Sequence, residues 1–104
     1  FEHCGVDRGN DLVVADLRHG EQFSAIMEDR GSFDNAGTMN EVVSAAVKLV
    51  EENPDIGAIL LECSDMPPYA YAVQAATGRP VFDFITLIYW LQRGVMQRPY
   101  SGWI

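Results

Sequence analysis

Apolar residues fall in short bursts along the chain, and their spacing separates strands from helices. Leu12 to Ala15 is an apolar run between Asp11 and Asp16 and predicts a buried strand. Ile56 to Leu61 is continuously small or apolar and predicts a parallel strand buried on both faces. Pro80 to Phe82 reads as a third strand. Helical spacing appears elsewhere. Phe1 to Gly5 reads as a helix end stopped by glycine. Phe23, Ile26 and Met27 share a face within Glu21 to Arg30, and Gly31 closes that segment. Residues 31 to 37 are a loop of Gly, Ser, Asp and Asn. Thr38 with Glu41 forms a capping-box pattern ahead of Met39, Val42, Val43, Ala46, Val47 and Val50, and Asn53-Pro54-Asp55 stops that helix. After a turn at Ser64 to Met66, Pro67 or Pro68 opens a helix that ends at Thr77-Gly78. Asp83 is placed to cap a last helix with Phe84, Leu87, Ile88, Leu91 and Val95 on one face.

Strands alternating with helices predict an α/β fold. The expected architecture is a three-layer, open, mostly parallel sheet with helices on both faces, formed by residues 1–104 as one domain. Neither a repeat nor a dividing linker interrupts the chain. Right-handed crossovers place the loops after Asp16, Glu62 and Phe82 on one sheet edge. Ligands of such sheets bind at the carboxyl ends of the strands, and Cys63 falls on that edge.

Composition narrows the partners. The chain has 104 residues, 48% of them hydrophobic, and a net charge of −8. An acidic chain repels phosphate backbones, so no nucleic-acid partner is expected. No apolar run approaches the roughly 20 residues needed to span a bilayer. The opening Phe-Glu-His-Cys-Gly lacks the order of a signal peptide, so no membrane association and a cytoplasmic location with free thiols are expected. Cys4 and Cys63 are too few for a disulfide framework and lack zinc-ligand spacing, so no metal is expected.

Cys63 stands between a predicted strand and a helix start. Helix N–H groups and the positive end of the helix dipole favour a thiolate there, while the flanking Glu62 and Asp65 oppose it. A reactive thiol and an inert, buried cysteine fit that position about equally.

The stretch Leu61-Glu62-Cys63-Ser64-Asp65-Met66-Pro67-Pro68-Tyr69-Ala70, followed by Thr77-Gly78-Arg79-Pro80-Val81-Phe82-Asp83-Phe84-Ile85-Thr86-Leu87, resembles the C-terminal half of aspartate/glutamate (hydantoin) racemase family proteins. Their pattern is Cys-Thr-x-x-Pro after an apolar strand, then a Thr-Gly-x-Pro-Val-Phe-Asp segment. The match covers residues 57–88. The resemblance implies one racemase-type half-domain and cofactor-independent proton transfer at the α-carbon of a small carboxylate or amino-acid-like substrate. Cys63 then matches the second-half catalytic cysteine. Ser64, in place of the usual Thr, and the backbone N–H groups of Ser64, Asp65 and Met66 would bind the substrate. Asp65 and Met66 also occupy the stretch where many amino-acid racemases carry His.

The resemblance further implies a strand and most of a helix ahead of Phe1, and a first-half cysteine from elsewhere. A two-fold homodimer would set two Cys63 residues across one cleft. Two readings follow: a racemase, or a related single-cysteine decarboxylase, and a catalytically inactive half-racemase acting as a binding or oligomerisation module, for which the apolar tail with Tyr100 and Trp103 would suit an interface.

The remaining candidates read as structural. Cys4 lies at a helix C-terminus, where the dipole disfavours a thiolate. His19 belongs to a solvated loop, and Glu51, Glu52 and Asp55 to a solvated helix end. Tyr69 and Tyr71 face different ways, so one packs and the other borders the site. Asp83 is a helix cap rather than a base, and Thr86 has no derivable chemical role.

Overall fold

The computed structural model describes residues 2–102; the expectations for Phe1 and Trp103 lie outside them. A short 3₁₀ turn at Glu2–Cys4 is closed by Gly5 in the left-handed region, φ 73°. Then come α1 (Phe23–Met27), α2 (Asn35–Glu52), β1 (Ile59–Leu60), a 3₁₀ turn at Pro67–Tyr69, α3 (Ala70–Thr77), β2 (Val81–Phe82) and α4 (Phe84–Val95).

The two strands pair in parallel, with Ile59 opposite Val81 and Leu60 opposite Phe82. The Leu61 N–H extends the ladder to the Phe82 carbonyl at 2.8 Å. Turn and α3 between the strands form the crossover expected of a parallel pair. Gly78 stops α3 at φ 65°, a conformation that a Cβ would penalise.

One core holds these elements together. Val42 and Ala46 of α2, Ile59 and Leu61, Tyr69 and Val73 meet Phe23 of α1 and are buried. Their order follows the helical spacing: Val42 and Ala46 lie one turn apart, as do Tyr69 and Val73. The phenol of Tyr69 donates to Asn35 Oδ1 at 3.0 Å and ties the crossover turn to the start of α2.

The three-layer sheet is not what forms. Among the described residues the sheet has two short strands, and helices dominate the rest. Leu12 to Ala15 is irregular, with Val14 72% exposed. A short apolar run becomes a strand only where another strand offers its hydrogen bonds, and among the described residues none pairs with residues 12–15. The Ile56–Leu61 run is a strand only at Ile59–Leu60 and is buried on one face, since Leu60 is 67% exposed. Thr38 does not begin α2. Asp34 is its N-cap, accepting from the Ala36 N–H at 3.0 Å, and Thr38 is buried one turn inside with its hydroxyl on the Asp34 carbonyl.

Helix α4 starts as expected. The Asp83 carboxylate accepts from the Thr86 N–H at 2.7 Å, and the Thr86 hydroxyl accepts from the Asp83 N–H at 3.0 Å. That reciprocal capping box gives Thr86 its role. The apolar face of α4 is another matter, because no side chain of the helix is buried. The radius of gyration is 16.5 Å, against about 13 Å for a compact chain of this length. No helix among the described residues is long and apolar enough to cross a membrane.

Candidate functional site

β1 and β2 run in the same direction, so the segments leaving them, Glu62–Met66 and Asp83–Phe84, emerge on one edge. Cys63 is half-buried there, in a tight turn closed by the Met66 N–H on the Cys63 carbonyl at 3.1 Å. Its thiol donates toward Asp65 Oδ2, 3.7 Å from Sγ. Pro67 and Pro68 follow and begin the 3₁₀ turn that leads into α3, which places Cys63 before a helical N-terminus as the sequence suggested.

All four residues of the predicted site share this turn. Ser64 and Asp65 are exposed, and Met66 is half-buried against the core. The Met66 N–H is already committed to the turn, so it is not available to a ligand. The donors left on this edge are the Ser64 hydroxyl and the N–H groups of Ser64 and Asp65, which have no partner among the described residues.

Beside the turn lies an open groove of about 580 Å³, bounded by Leu60, Glu62, Phe82, Phe84, Leu87 and Trp90. Sequence reasoning placed Phe82 in a strand and Phe84 and Leu87 on a helix face but missed that they line one groove with Trp90. The signal was the density of aromatic residues between Phe82 and Trp90. A second hollow lies away from this edge, against Ile26, Asp29 and Phe33.

The other candidates are elsewhere. Cys4 is exposed and takes no part in the site. Tyr69 is buried and Tyr71 exposed, as their successive positions required. His19, Glu51, Glu52 and Asp55 are exposed. Among the described residues, no three of His, Cys, Asp and Glu come together to hold a metal ion.

Against known proteins, the chain is 34% identical over 97% of its length to a dimethylsulfoniopropionate lyase of Durusdinium sp. clade D. The curated relatives are lyases. Dimethylsulfoniopropionate lyase 7 of Emiliania huxleyi (strain CCMP1516) is 35% identical and dimethylsulfoniopropionate lyase 3 of the same strain 34%, each over 97% of the chain. The chain spans about a third of the length of these lyases: 34%, 31% and 27%, respectively. No protein-family model matches, and no solved structure matches significantly.

These lyases correct the resemblance drawn from residues 57–88. The relatives are named dimethylsulfoniopropionate lyases, not aspartate/glutamate racemases. The racemase and isomerase reading is overturned, and the inactive half-racemase module falls with it. A cysteine element after a strand followed by Thr-Gly-x-Pro-Val-Phe-Asp describes a local scaffold: a strand, a crossover, a second strand and a capped helix. The reaction performed on such a scaffold is a separate matter.

Proposed function

We propose that residues 1–104 form a domain of a dimethylsulfoniopropionate lyase, and that Cys63 is its proton-abstracting residue. The observation that carries the reading is the position of the Cys63 thiol. Cys63 lies just past the carboxyl end of β1, next in the chain to Glu62 of the groove, with its thiol 3.7 Å from the Asp65 carboxylate. The lyase relatives, aligned over 97% of the chain, supply the substrate.

The chemistry follows from the substrate's structure. Dimethylsulfoniopropionate carries a carboxylate at one end and a dimethylsulfonio group on the β-carbon. A base removes a proton from the α-carbon, the C–H electron pair becomes the new C=C bond, and the C–S pair leaves with sulfur. The products are acrylate and neutral dimethyl sulfide. In the proposed roles, the Cys63 thiol loses its proton to solvent, the resulting thiolate takes the α-proton, and Asp65, the thiol's hydrogen-bond partner, orients it. The Ser64 hydroxyl and the N–H groups of Ser64 and Asp65 hold the substrate carboxylate. A positioned base of this kind contributes typically 10²–10⁴-fold.

The homodimer expected from the sequence belongs to the same proposal. The accessible surface is 8354 Å², against about 5,800 Å² for a folded monomer of this mass. No residue of α4 is buried, so its apolar side chains offer a face for a second copy.

The deciding experiment supplies dimethylsulfoniopropionate and follows dimethyl sulfide in the headspace and acrylate by NMR. Both should form in equal amounts with the native chain and fall by at least about a hundredfold with Cys63→Ala. Absence of both products from the native chain would overturn the lyase reading. Equal activity of the variant would overturn the role of Cys63.

A further inference from the structure

The groove beside Cys63 has a composition that the elimination step does not explain. Phe82, Phe84 and Trp90 line it together with Leu60 and Leu87, and Glu62 stands at its edge. Phe82 is 51% exposed and Trp90 72% exposed, so their ring surfaces face the groove and solvent rather than a packed core. Two further polar side chains line it, and they are spent on each other: Asp83 and Thr86 form the capping box of α4. Glu62 has neither a hydrogen bond nor an ion pair among the described residues, and no Lys or Arg lines the groove.

Aromatic faces and an unpaired carboxylate select a particular ligand class. The negative face of an aromatic ring attracts a cation, and most effectively one whose charge is spread over methyl groups and which has no N–H or O–H to leave unsatisfied. An ammonium ion with protons could place one N–H on Glu62 but would leave its others against aromatic faces. Neutral alkyl groups would gain nothing from Glu62. A net charge of −8 adds a general attraction for cations.

We propose that this groove is a methyl-onium subsite, in which Trp90, Phe82 and Phe84 cage the dimethylsulfonio group and Glu62 supplies the counter-charge. The assignment rests on the lyase reading for the identity of the onium ion. It also fixes the substrate's direction. Glu62 borders the groove, and Cys63 follows it in the chain without lining the groove; in the proposed direction the sulfonium end enters the groove and the carboxylate end points toward the turn at Ser64 and Asp65. In the elimination the caged charge is lost as dimethyl sulfide forms, so the groove that holds the substrate releases the product.

The test compares two non-reacting ligands of matched shape: 3-(trimethylammonio)propionate, which carries the charge, and 4,4-dimethylpentanoate, which does not. Binding is measured by calorimetry with the native chain, Trp90→Leu and Glu62→Gln. The cation should bind the native chain about tenfold more tightly than its neutral isostere. Trp90→Leu, at an exposed position that keeps the surface apolar, should remove most of that preference while leaving the neutral ligand unchanged. Glu62→Gln should weaken the cation alone and flatten its salt dependence. Equal affinity for the two ligands in the native chain, or an undiminished preference in Trp90→Leu, would overturn the subsite. Steady-state kinetics separate this outcome from failure of the lyase reading. Dimethyl sulfide release with KM unchanged in Trp90→Leu would sink the subsite and leave the lyase standing. Cation preference without dimethyl sulfide release would support an onium site and sink the lyase.

Discussion

The Cys63 thiol points at the Asp65 carboxylate, with Sγ 3.7 Å from Oδ2 across the turn that leaves β1. The two side chains meet because the Met66 N–H closes the turn on the Cys63 carbonyl, which curls residues 63–66 back on themselves. Cys63 also packs against the core edge, whereas Asp65 is exposed. One partner is therefore positioned by burial and the other is open to solvent and substrate.

That pairing predicts a graded loss of activity. In the proposed mechanism, Cys63→Ala removes the proton acceptor, whereas Asp65→Asn removes only the group that orients the thiol. Asp65→Asn should lower kcat for dimethyl sulfide release by about tenfold to a hundredfold, less than Cys63→Ala does, and leave the circular dichroism spectrum unchanged. An Asp65→Asn enzyme with native kcat would remove Asp65 from the mechanism.

A second relationship supports α1. Glu41 of α2 accepts the N–H groups of Gln22 and Phe23, both at 2.9 Å, and so caps a helix of which it is not part. Gly20 permits this approach, since a Cβ there would lie 2.6 Å from Glu41 Oε2. Glu41→Ala leaves two part-buried N–H groups without their acceptor and should cost roughly 1–3 kcal/mol in urea unfolding. Gly20→Ala should destabilise by pushing the carboxylate off the same cap. A Glu41→Ala protein as stable as the native chain would show that α1 needs no cap.

Much of this was legible before the structure, and the exceptions share a cause. Asp83 as a cap, Gly78 as a stop and the turn after Glu62 follow from signals within a few residues of each other. Local chemistry dictates them. Thr38 and Glu41 were misread because their capping-box spacing is also one of helical neighbours. Which use prevails depends on whether a neighbouring helix offers bare N–H groups, and α1 does. Residues 12–15 were misread for the converse reason: an apolar run needs a pairing edge, and edge order is not written in the run itself. At the site, Cys63 through Met66 could be named because they are contiguous. The aromatic groove could not, because it joins β1, β2 and α4. The residues around Cys63 also matched a racemase pattern, since local scaffold and reaction are specified separately.

Asp16 offers a local electrostatic test. Arg18 binds its carboxylate through Nε at 2.9 Å and Nη2 at 2.6 Å, and the Arg18 N–H adds a third bond. These hydrogen bonds hold the carboxyl well below its ordinary value, at about 2. A depressed carboxyl contributes stability above the unfolded value, 3.8, and loses it as pH falls toward about 2. An NMR titration of the carboxyl carbon should give a midpoint near 2 in the native chain and a clearly higher one in Arg18→Ala. The pair is exposed, so its salt bridge adds little to global stability and the unfolding midpoint at pH 7 should barely move. A midpoint unmoved by Arg18→Ala would mean that the guanidinium does not set the acidity of Asp16.

The last prediction concerns α4. Leu87 and Trp90 line the groove, whereas Ile88, Leu91 and Val95 form a neighbouring stripe at i, i+3 and i+7 spacing, exposed along its length. The surface in excess of a compact monomer, about 2,500 Å², exceeds the roughly 800 Å² that each partner buries in a standard interface. A two-fold dimer joined along this stripe would leave both grooves open. Light scattering should therefore give twice the 11.6 kDa chain mass. Ile88→Glu with Leu91→Glu should return the mass to that of one chain. Because no α4 side chain is buried within the protomer, the double variant should keep its helical content. It should also retain cation binding, since neither residue borders the groove. A native chain that scatters as a monomer at tens of micromolar would rule the dimer out.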